Sequence, residues 1–165
     1  SGVLTIAGGK WTTYRNMAED AVDAAETLGD LDPAPCVTTE LNIHGYHQHA
    51  DRYGVLSVYG SDAARIQDLV HERETWGDKI HPRLDLLGAE VVWACREEMA
   101  RTVDDVLARR TRSLVFDARA SVEAAPTVAS LMAEELGRDE AWIAEQIHTF
   151  AGIAEGYLPE SLGGR

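Results

Sequence analysis

Apolar residues recur at helical spacing along most of this chain, and only a few stretches depart from that pattern. Residues 3 to 6 (VLTI) are β-prone but too few to form a sheet alone, so we expect one strand of a larger sheet. From Trp11 to Leu28 apolar residues recur every three or four positions, which predicts a helix that Gly29 ends. Residues 30 to 40 contain two prolines and no helical period, which indicates an extended linker.

The chain after the linker is predicted to be helix after helix. Ser61 and Asp62 are suited to cap a helix that runs to about Arg73. Its buried side is expected to carry Ala64, Ile66, Leu69 and Val70.

A second predicted helix covers residues 89 to 100. It is followed by TVDD, in which Thr102 and Asp105 fit a capping box with Asp in place of the usual Glu. The inward-facing side chains of these two segments are expected to be Val91, Val92, Cys95, Met99, Val103, Val106 and Leu107.

Two further helices complete the predicted fold. Pro126 suits the first turn of a helix better than its interior, so we expect a break or kink near Ala125. Gly137 is expected to end that segment, and Asp139 to cap a last helix. The predicted fold is all-α, a helical bundle over 41–158 with a short strand and turn in front and a frayed tail at 159–165.

The amino-acid composition disfavours two classes of binding partner, nucleic acid and anionic membranes. Of 165 residues, 28 are acidic and 15 are Lys or Arg, which gives a formal charge of −13. Such a charge repels nucleic acid and anionic lipid headgroups. Cys36 and Cys95 form no disulfide framework and indicate a reducing compartment. With no signal-peptide pattern and no apolar run of about 20 residues, the sequence predicts a cytosolic protein.

The turn AGGKWTTYR, residues 7 to 15, carries the composition of a ligand-binding loop. Gly8 and Gly9 let the main chain approach a ligand closely, and the helix that follows presents free N–H groups and a positive dipole end. Lys10 adds a mobile cation. The alternative is a plain strand-to-helix turn whose glycines only permit the backbone angles, and GGK is not a Walker motif.

Two other polar stretches each allow two interpretations. His44, His47 and His49 lie close together, but their spacing matches no strong zinc pattern, so a solvated loop is the favoured interpretation. The charged stretch 96–112 fits either a salt-bridge network against another domain or a solvated helix pair. Four tryptophans are interpreted as core or interface anchors: Trp11, Trp76, Trp93 and Trp142.

Several stretches together resemble one family. AGGKWTTYRNMAEDAVD (7–23) and AEVVWACREEMARTVDDVLARRTRSLVFDARA (89–120) closely resemble the C-terminal region of FAD-dependent glycerol-3-phosphate dehydrogenase. HPRLDLLGAEV and LMAEELGRDEAWIAEQI (131–147) continue the likeness, which covers most of the chain. The resemblance implies a flavoprotein that oxidises sn-glycerol 3-phosphate to dihydroxyacetone phosphate and passes the electrons to a quinone.

The resemblance also implies roles for particular residues. Gly8, Gly9, Lys10, Trp11 and Thr12 would line the FAD site, and Lys10 could also attract the substrate phosphate. Thr13, Tyr14 and Arg15 also match the signature, and a role in helix packing or in an interdomain contact is as open for them as ligand contact. The GxGxxG turn of a dinucleotide-binding domain is missing, so residues 1–29 are expected to be the edge of an upstream FAD-binding domain.

On this interpretation no hydride-transfer residue can be assigned within the chain, and the fragment alone is expected to be inactive. The full enzyme would be cytoplasmic, peripheral on the inner face of the membrane, with a homodimer possible. Two alternatives stay open: a free-standing helical interaction module, and a glycerol-3-phosphate oxidase that uses oxygen.

Overall fold

A computed structural model describes residues 2–158 and divides the chain into two compact units, residues 1–46 (unit 1) and residues 47–165 (unit 2). The α-helices are α1 (Tyr14–Gly29), α2 (Ala63–Glu72), α3 (Gly88–Arg96), α4 (Ser113–Phe116), α5 (Ala118–Leu136) and α6 (Glu140–Glu155). Short 3₁₀ segments cover Trp11–Thr13, Ala50–Asp62 and Glu74–Gly77, and a π-helical turn covers Asp105–Arg110. The all-α prediction is confirmed, since residues 2–158 form no sheet and only an isolated bridge between Lys79 and Leu87.

The strand predicted over residues 3 to 6 does not form. The backbone there has no regular secondary structure. A strand needs a neighbour that pairs with its N–H and C=O groups, and the described residues provide no sheet for it to join. The expectation of one strand of a larger sheet therefore depends on chain outside this sequence.

Unit 1 consists of the 3₁₀ turn, α1 and an irregular segment. The helix ends at Gly29 as predicted, but the left-handed residue that closes it is Asp30, with φ of 51° and its N–H donated to the carbonyl of Glu26. Asp tolerates this conformation better than most side chains. No residue from 2 to 46 is buried, so unit 1 has no core of its own.

Unit 2 is organised around α3, which is buried on every side. Val91, Ala94 and Cys95 pack into a large cluster with α5, α6 and the π-helical turn. Ala89, Val92 and Trp93 pack into a second cluster with α2 and the 3₁₀ segment before it. One helix therefore joins both parts of the core.

Of the break or kink predicted near Ala125, the break is wrong, because α5 runs through Pro126 from Ala118 to Leu136. The break lies earlier, at Asp117, which separates α4 from α5 and accepts a hydrogen bond from the N–H of Ala120 at 2.9 Å. Pro126 lies on the exposed face of α5, where water can reach the Val122 carbonyl that loses its donor.

Most of the predicted helix caps are confirmed. The N–H of Asp105 donates to the Thr102 hydroxyl at 3.2 Å, and the N–H of Thr102 donates to Asp105 Oδ2 at 3.0 Å, which is the capping box. Asp139 accepts from the N–H of Trp142 at 2.9 Å, and Gly137 closes α5 with φ of 62°. Asp62 stands at the start of α2 but makes no side-chain cap bond.

Two predicted inward positions are wrong. Met99 is 76% exposed with φ of 57°, because α3 ends at Arg96 and the chain turns away before residue 99. On α2 the buried small residue is Ala63, while Ala64 is exposed. The predicted frayed tail, 159–165, lies outside the described residues.

Candidate functional site

The GGK turn has the backbone that its glycines permit. Gly8 has φ of 79° and Gly9 has φ of 107°, both in the region that L side chains rarely adopt. A Cβ on Gly8 would meet nothing within 4 Å, whereas one on Gly9 would meet the Met17 sulfur at 2.0 Å. The main chain at Gly8 is therefore open to close approach by a ligand.

The helix start after the turn leaves some, but not all, of its amides free. The N–H of Lys10 donates to the Thr13 hydroxyl at 3.2 Å, and the Thr13 N–H and hydroxyl donate to the Lys10 carbonyl at 2.9 Å and 3.1 Å. The Lys10 amide, expected to point outward, is thus used inside the turn. The first N–H groups of the helix, those of Trp11 and Thr12, make no hydrogen bond within residues 2–158.

The side chains at the turn are exposed. Trp11 is 85% exposed and stacks on Tyr14 with 5.1 Å between ring centroids. The Lys10 ammonium makes no ion pair within residues 2–158. A cation, two free amides and an aromatic ring therefore lie in the residues directly after an open glycine backbone, a donor set that suits an anionic or carbonyl-bearing planar ligand.

Arg15 and Thr13 have structural partners within unit 1. Arg15 Nη1 donates to Glu19 Oε2 at 2.7 Å and to the Thr38 hydroxyl at 3.2 Å. The first bond lies within α1, and the second ties α1 to the irregular segment after it. For Arg15 and Thr13 these contacts favour helix packing over ligand contact, and an interdomain role stays a prediction.

The histidines form no metal site. No group of three or more His, Cys, Asp or Glu side chains in residues 2–158 is arranged to hold a metal ion. His47 Nδ1 accepts from the N–H of His49 at 3.0 Å, and the His47 ring meets Tyr53 edge-on. These contacts belong to a polar loop.

The charged stretch 96–112 forms ion pairs within unit 2. Arg109 pairs with Asp104 and, at 2.9 Å, with Asp105 Oδ1. Arg110 Nη2 donates to the carbonyl of Glu98 at 2.7 Å. These ion pairs lie inside unit 2, so a network against another domain stays a prediction.

Arg96 on α3 pairs with carboxylates on two other helices. Its Nε lies 2.7 Å from Glu135 on α5, and its Nη1 lies 3.2 Å from Glu72 on α2. The guanidinium also lies 5.3 Å from the centroid of the buried Trp76 ring. The side chain therefore stabilises the packing of α3 rather than a ligand.

Two features of unit 2 had no sequence signal. Glu90 is buried in α3, and its Oε2 accepts from the N–H of Leu87 at 2.8 Å, while burial raises the pKa of its carboxyl. A cleft of about 380 Å³ lies beside the π-helical turn, but Asp104, Asp105 and Arg109 in its lining satisfy one another. Both features have structural explanations, so the GGK turn is the stronger candidate site.

The chain was compared with known protein families, and the match covers this turn. Residues 4–143 match the model of the C-terminal domain of alpha-glycerophosphate oxidase. The chain belongs to this family. The match includes the GGK turn and the charged stretch, and it confirms the resemblance stated from the sequence.

Relatives in this family are named glycerol-3-phosphate dehydrogenases. The mitochondrial enzyme of Mus musculus is 34% identical over 169 residues, which cover 90% of this chain and 23% of the relative. A probable mitochondrial enzyme of Caenorhabditis elegans is 38% identical over 160 residues, 83% of this chain and 22% of the relative. An Arabidopsis thaliana mitochondrial enzyme is 34% identical over 165 residues, 81% of this chain and 26% of the relative.

The chain therefore spans about a quarter of the length of the curated relatives it matches. No solved structure matches it. Within residues 2–158, none of the helices is long and apolar enough to cross a membrane.

Proposed function

We propose that this chain is the C-terminal part of an FAD-dependent glycerol-3-phosphate dehydrogenase. The observation that carries the proposal is the GGK turn, which lies inside the stretch matched to the family. Its glycine backbone is open, and neither the Trp11 and Thr12 amides nor the Lys10 ammonium has a partner among residues 2–158. FAD, when bound, supplies the hydride acceptor for oxidation of sn-glycerol 3-phosphate to dihydroxyacetone phosphate. The chain itself would contribute only one edge of the cofactor site and is inactive alone.

The residues of the turn fit such a cofactor. Gly8 and Gly9 would let the main chain lie against it, and the N–H groups of Trp11 and Thr12 would donate to its polar edge. Lys10 would place a positive charge there and attract the substrate phosphate. The exposed Trp11 ring would cover an apolar face.

The domain boundaries, partners and location are part of the same proposal. Residues 1–29 would form the edge of the upstream FAD-binding domain, 30–40 the linker and 41–158 the helical domain. Quinone would accept the electrons, and the parent enzyme would be a cytoplasmic protein, a possible homodimer, peripheral on the inner face of the membrane. The absence of any buried residue from 2 to 46 supports an upstream domain that covers unit 1.

Replacing Lys10 in the full-length polypeptide tests the proposal. The wild-type protein should purify with bound FAD and oxidise glycerol 3-phosphate with an artificial electron acceptor. Lys10→Gln should lower kcat/KM by about tenfold or more, because removing one preorganised positive donor costs transition-state stabilisation of at least that size.

The chain offers a matched control in its second lysine. Lys79 pairs with Asp85 in unit 2, so Lys79→Gln should change kcat/KM by less than about twofold. Equal behaviour of the two variants, or a full-length protein without flavin, would contradict the proposal and favour a helical interaction module.

A second candidate, a glycerol-3-phosphate oxidase, is favoured by one observation. The matched family model is named after alpha-glycerophosphate oxidase, although the relatives are named dehydrogenases. Stoichiometric release of hydrogen peroxide by the full-length protein in air would identify the oxidase.

A further inference from the structure

An exposed apolar surface on unit 2 takes no part in the site described above. It consists of Val115 and Phe116 on α4, Tyr157 after α6, and the arginines Arg112 and Arg119, and is called here the Phe116 surface. Phe116 is 81% exposed, Val115 66% and Tyr157 53%. A shallow groove of about 300 Å³ runs between Phe116, Arg119 and Tyr157.

The fold holds this surface in place. Ser113 and Leu114 are buried, so the inner face of α4 is anchored while Val115 and Phe116 face outward. Arg112, which precedes α4, has φ of 56°, a left-handed conformation that costs a non-glycine residue about 1 kcal/mol or more. The exposure of Phe116 is therefore a property of an anchored helix and not of a loose loop.

The two arginines at this surface belong to the unit 2 arginines that form no ion pair within residues 2–158, together with Arg52, Arg101 and Arg138. Arg65, Arg73, Arg83, Arg96, Arg109 and Arg110 all form ion pairs. Arg112 and Arg119 are exposed and form none within residues 2–158. Two unpaired positive charges beside exposed aromatic rings are typical of the centre of a protein interface, where Arg, Tyr and Phe are enriched.

We propose that the Phe116 surface docks a part of the same polypeptide outside this chain, a surface with an apolar centre and acidic groups that pair with Arg112 and Arg119. The inference rests on the proposed function, since relatives of which this chain covers only 22% to 23% provide the additional length. It assigns an interdomain contact to unit 2 that is separate from the GGK turn.

The size of the surface favours a tethered partner over a second copy of the chain. Three exposed side chains bury a few hundred Å² at most, well below the roughly 800 Å² per partner of a stable free complex. A partner on the same polypeptide acts at an effective concentration of about millimolar, at which a small contact suffices. The formal charge of −13 disfavours an anionic membrane as the occupant.

Thiol accessibility in the full-length polypeptide tests the contact. Phe116→Cys is compared with Val58→Cys, since Val58 is equally exposed on the 3₁₀ segment of unit 2 and lies outside the Phe116 surface. Maleimide labelling, located by mass spectrometry, should be slower at F116C by about tenfold or more in the native protein and equal at both sites in denaturant. Adding Arg119→Glu should speed labelling at F116C severalfold, whereas Arg138→Glu, at an exposed arginine elsewhere, should not.

Three outcomes would overturn the proposal. Labelling at F116C as fast as at V58C would show that nothing covers the surface. Protection lost on about 20-fold dilution would assign it to a second copy. Protection that arises only with vesicles containing phosphatidylglycerol would assign it to a membrane. Flavin content and turnover are measured separately, so a failed docking contact is distinguishable from a failed function.

Discussion

Asp105 and Glu90 each accept hydrogen bonds at the start of a helix, yet their pKa values move in opposite directions. For Asp105, burial works to raise the pKa of the carboxyl. The N–H groups of Arg101 and Thr102, the Thr102 hydroxyl and the charge of Arg109 favour the ionised form and outweigh burial, so the pKa is lowered. For Glu90, burial dominates and raises the pKa, although the N–H of Leu87 and the Tyr59 hydroxyl favour the charged form. The direction of the pKa shift therefore depends on how many hydrogen-bond donors the carboxylate has relative to how deeply it is buried.

The lowered pKa of Asp105 predicts a pH dependence of stability. Because the folded protein releases this proton at lower pH than the unfolded chain, the stabilisation is present above the unfolded value of about 3.9 and is lost as pH falls through the folded value. Asp105→Asn should lower the free energy of unfolding by about 1 kcal/mol at neutral pH and by less in acid. Urea unfolding at pH 7 and at pH near 3 measures both.

Asp68→Asn is the control for Asp105. Asp68 is largely exposed on α2, and its one ion-pair partner among residues 2–158 is His71, at 3.9 Å. Its replacement should therefore leave stability and the pH dependence of stability almost unchanged. If the two variants lose stability in parallel at both pH values, the capping box does not account for the effect.

Helices α5 and α3 show how packing overrides sequence signals at the scale of the element. Pro126 predicts a break, but Ala124, Ala125, Val128 and Ala129 around it are all buried in the core, and this packing holds the helix continuous. In α3, burial on both sides leaves little of the amphipathic pattern that marks a surface helix.

The proline in α5 predicts a stabilising substitution. Pro126→Ala should raise the free energy of unfolding of this chain by about 1 to 2 kcal/mol, because a proline in a helix interior costs about 3 kcal/mol and its rigidity in the unfolded chain returns up to about 1 kcal/mol. Equilibrium urea denaturation measures the change. Thr127→Ala, at the next exposed position of α5, is the control and should raise stability by well under 1 kcal/mol. A destabilised P126A would mean that the proline ring packs usefully in the folded state.

The two units of the molecule differ in how they bury apolar surface. Unit 2 holds two clusters of buried side chains that share α3, whereas none of the described residues of unit 1, 2–46, is buried. On α1 the apolar Val22 and Leu28 are exposed. A helix of this length without a packed face is marginally stable in water.

This difference predicts uneven hydrogen exchange. In the 165-residue chain, amides of α1 should exchange at least about 100-fold faster than those of α5, because α1 opens without disrupting a core. In the full-length polypeptide the amides of α1 should become protected. Mass spectrometry of deuterium uptake resolves the two helices, and α2, packed in unit 2, serves as the control. Equal protection of α1 and α5 in the short chain would contradict the absence of a core in unit 1.

The sequence by itself determined those features whose causes lie within a few residues. The caps at Thr102, Asp105 and Asp139 and the stop at Gly137 follow from side chains next to the backbone groups they satisfy. The GGK turn and the family resemblance could also be recognised from the sequence, because both consist of contiguous residues.

Only the tertiary structure decided the features that depend on distant residues. The passage of α5 through Pro126, the burial of Glu90 and the exposure of Met99 each depend on which helices pack nearby. At the candidate site, the sequence indicated the open glycines, but the use of the Lys10 amide by Thr13 required the folded turn. Burial is set by neighbours far apart in the chain, and residues 3 to 6, with no neighbouring strand in the described residues, form no strand.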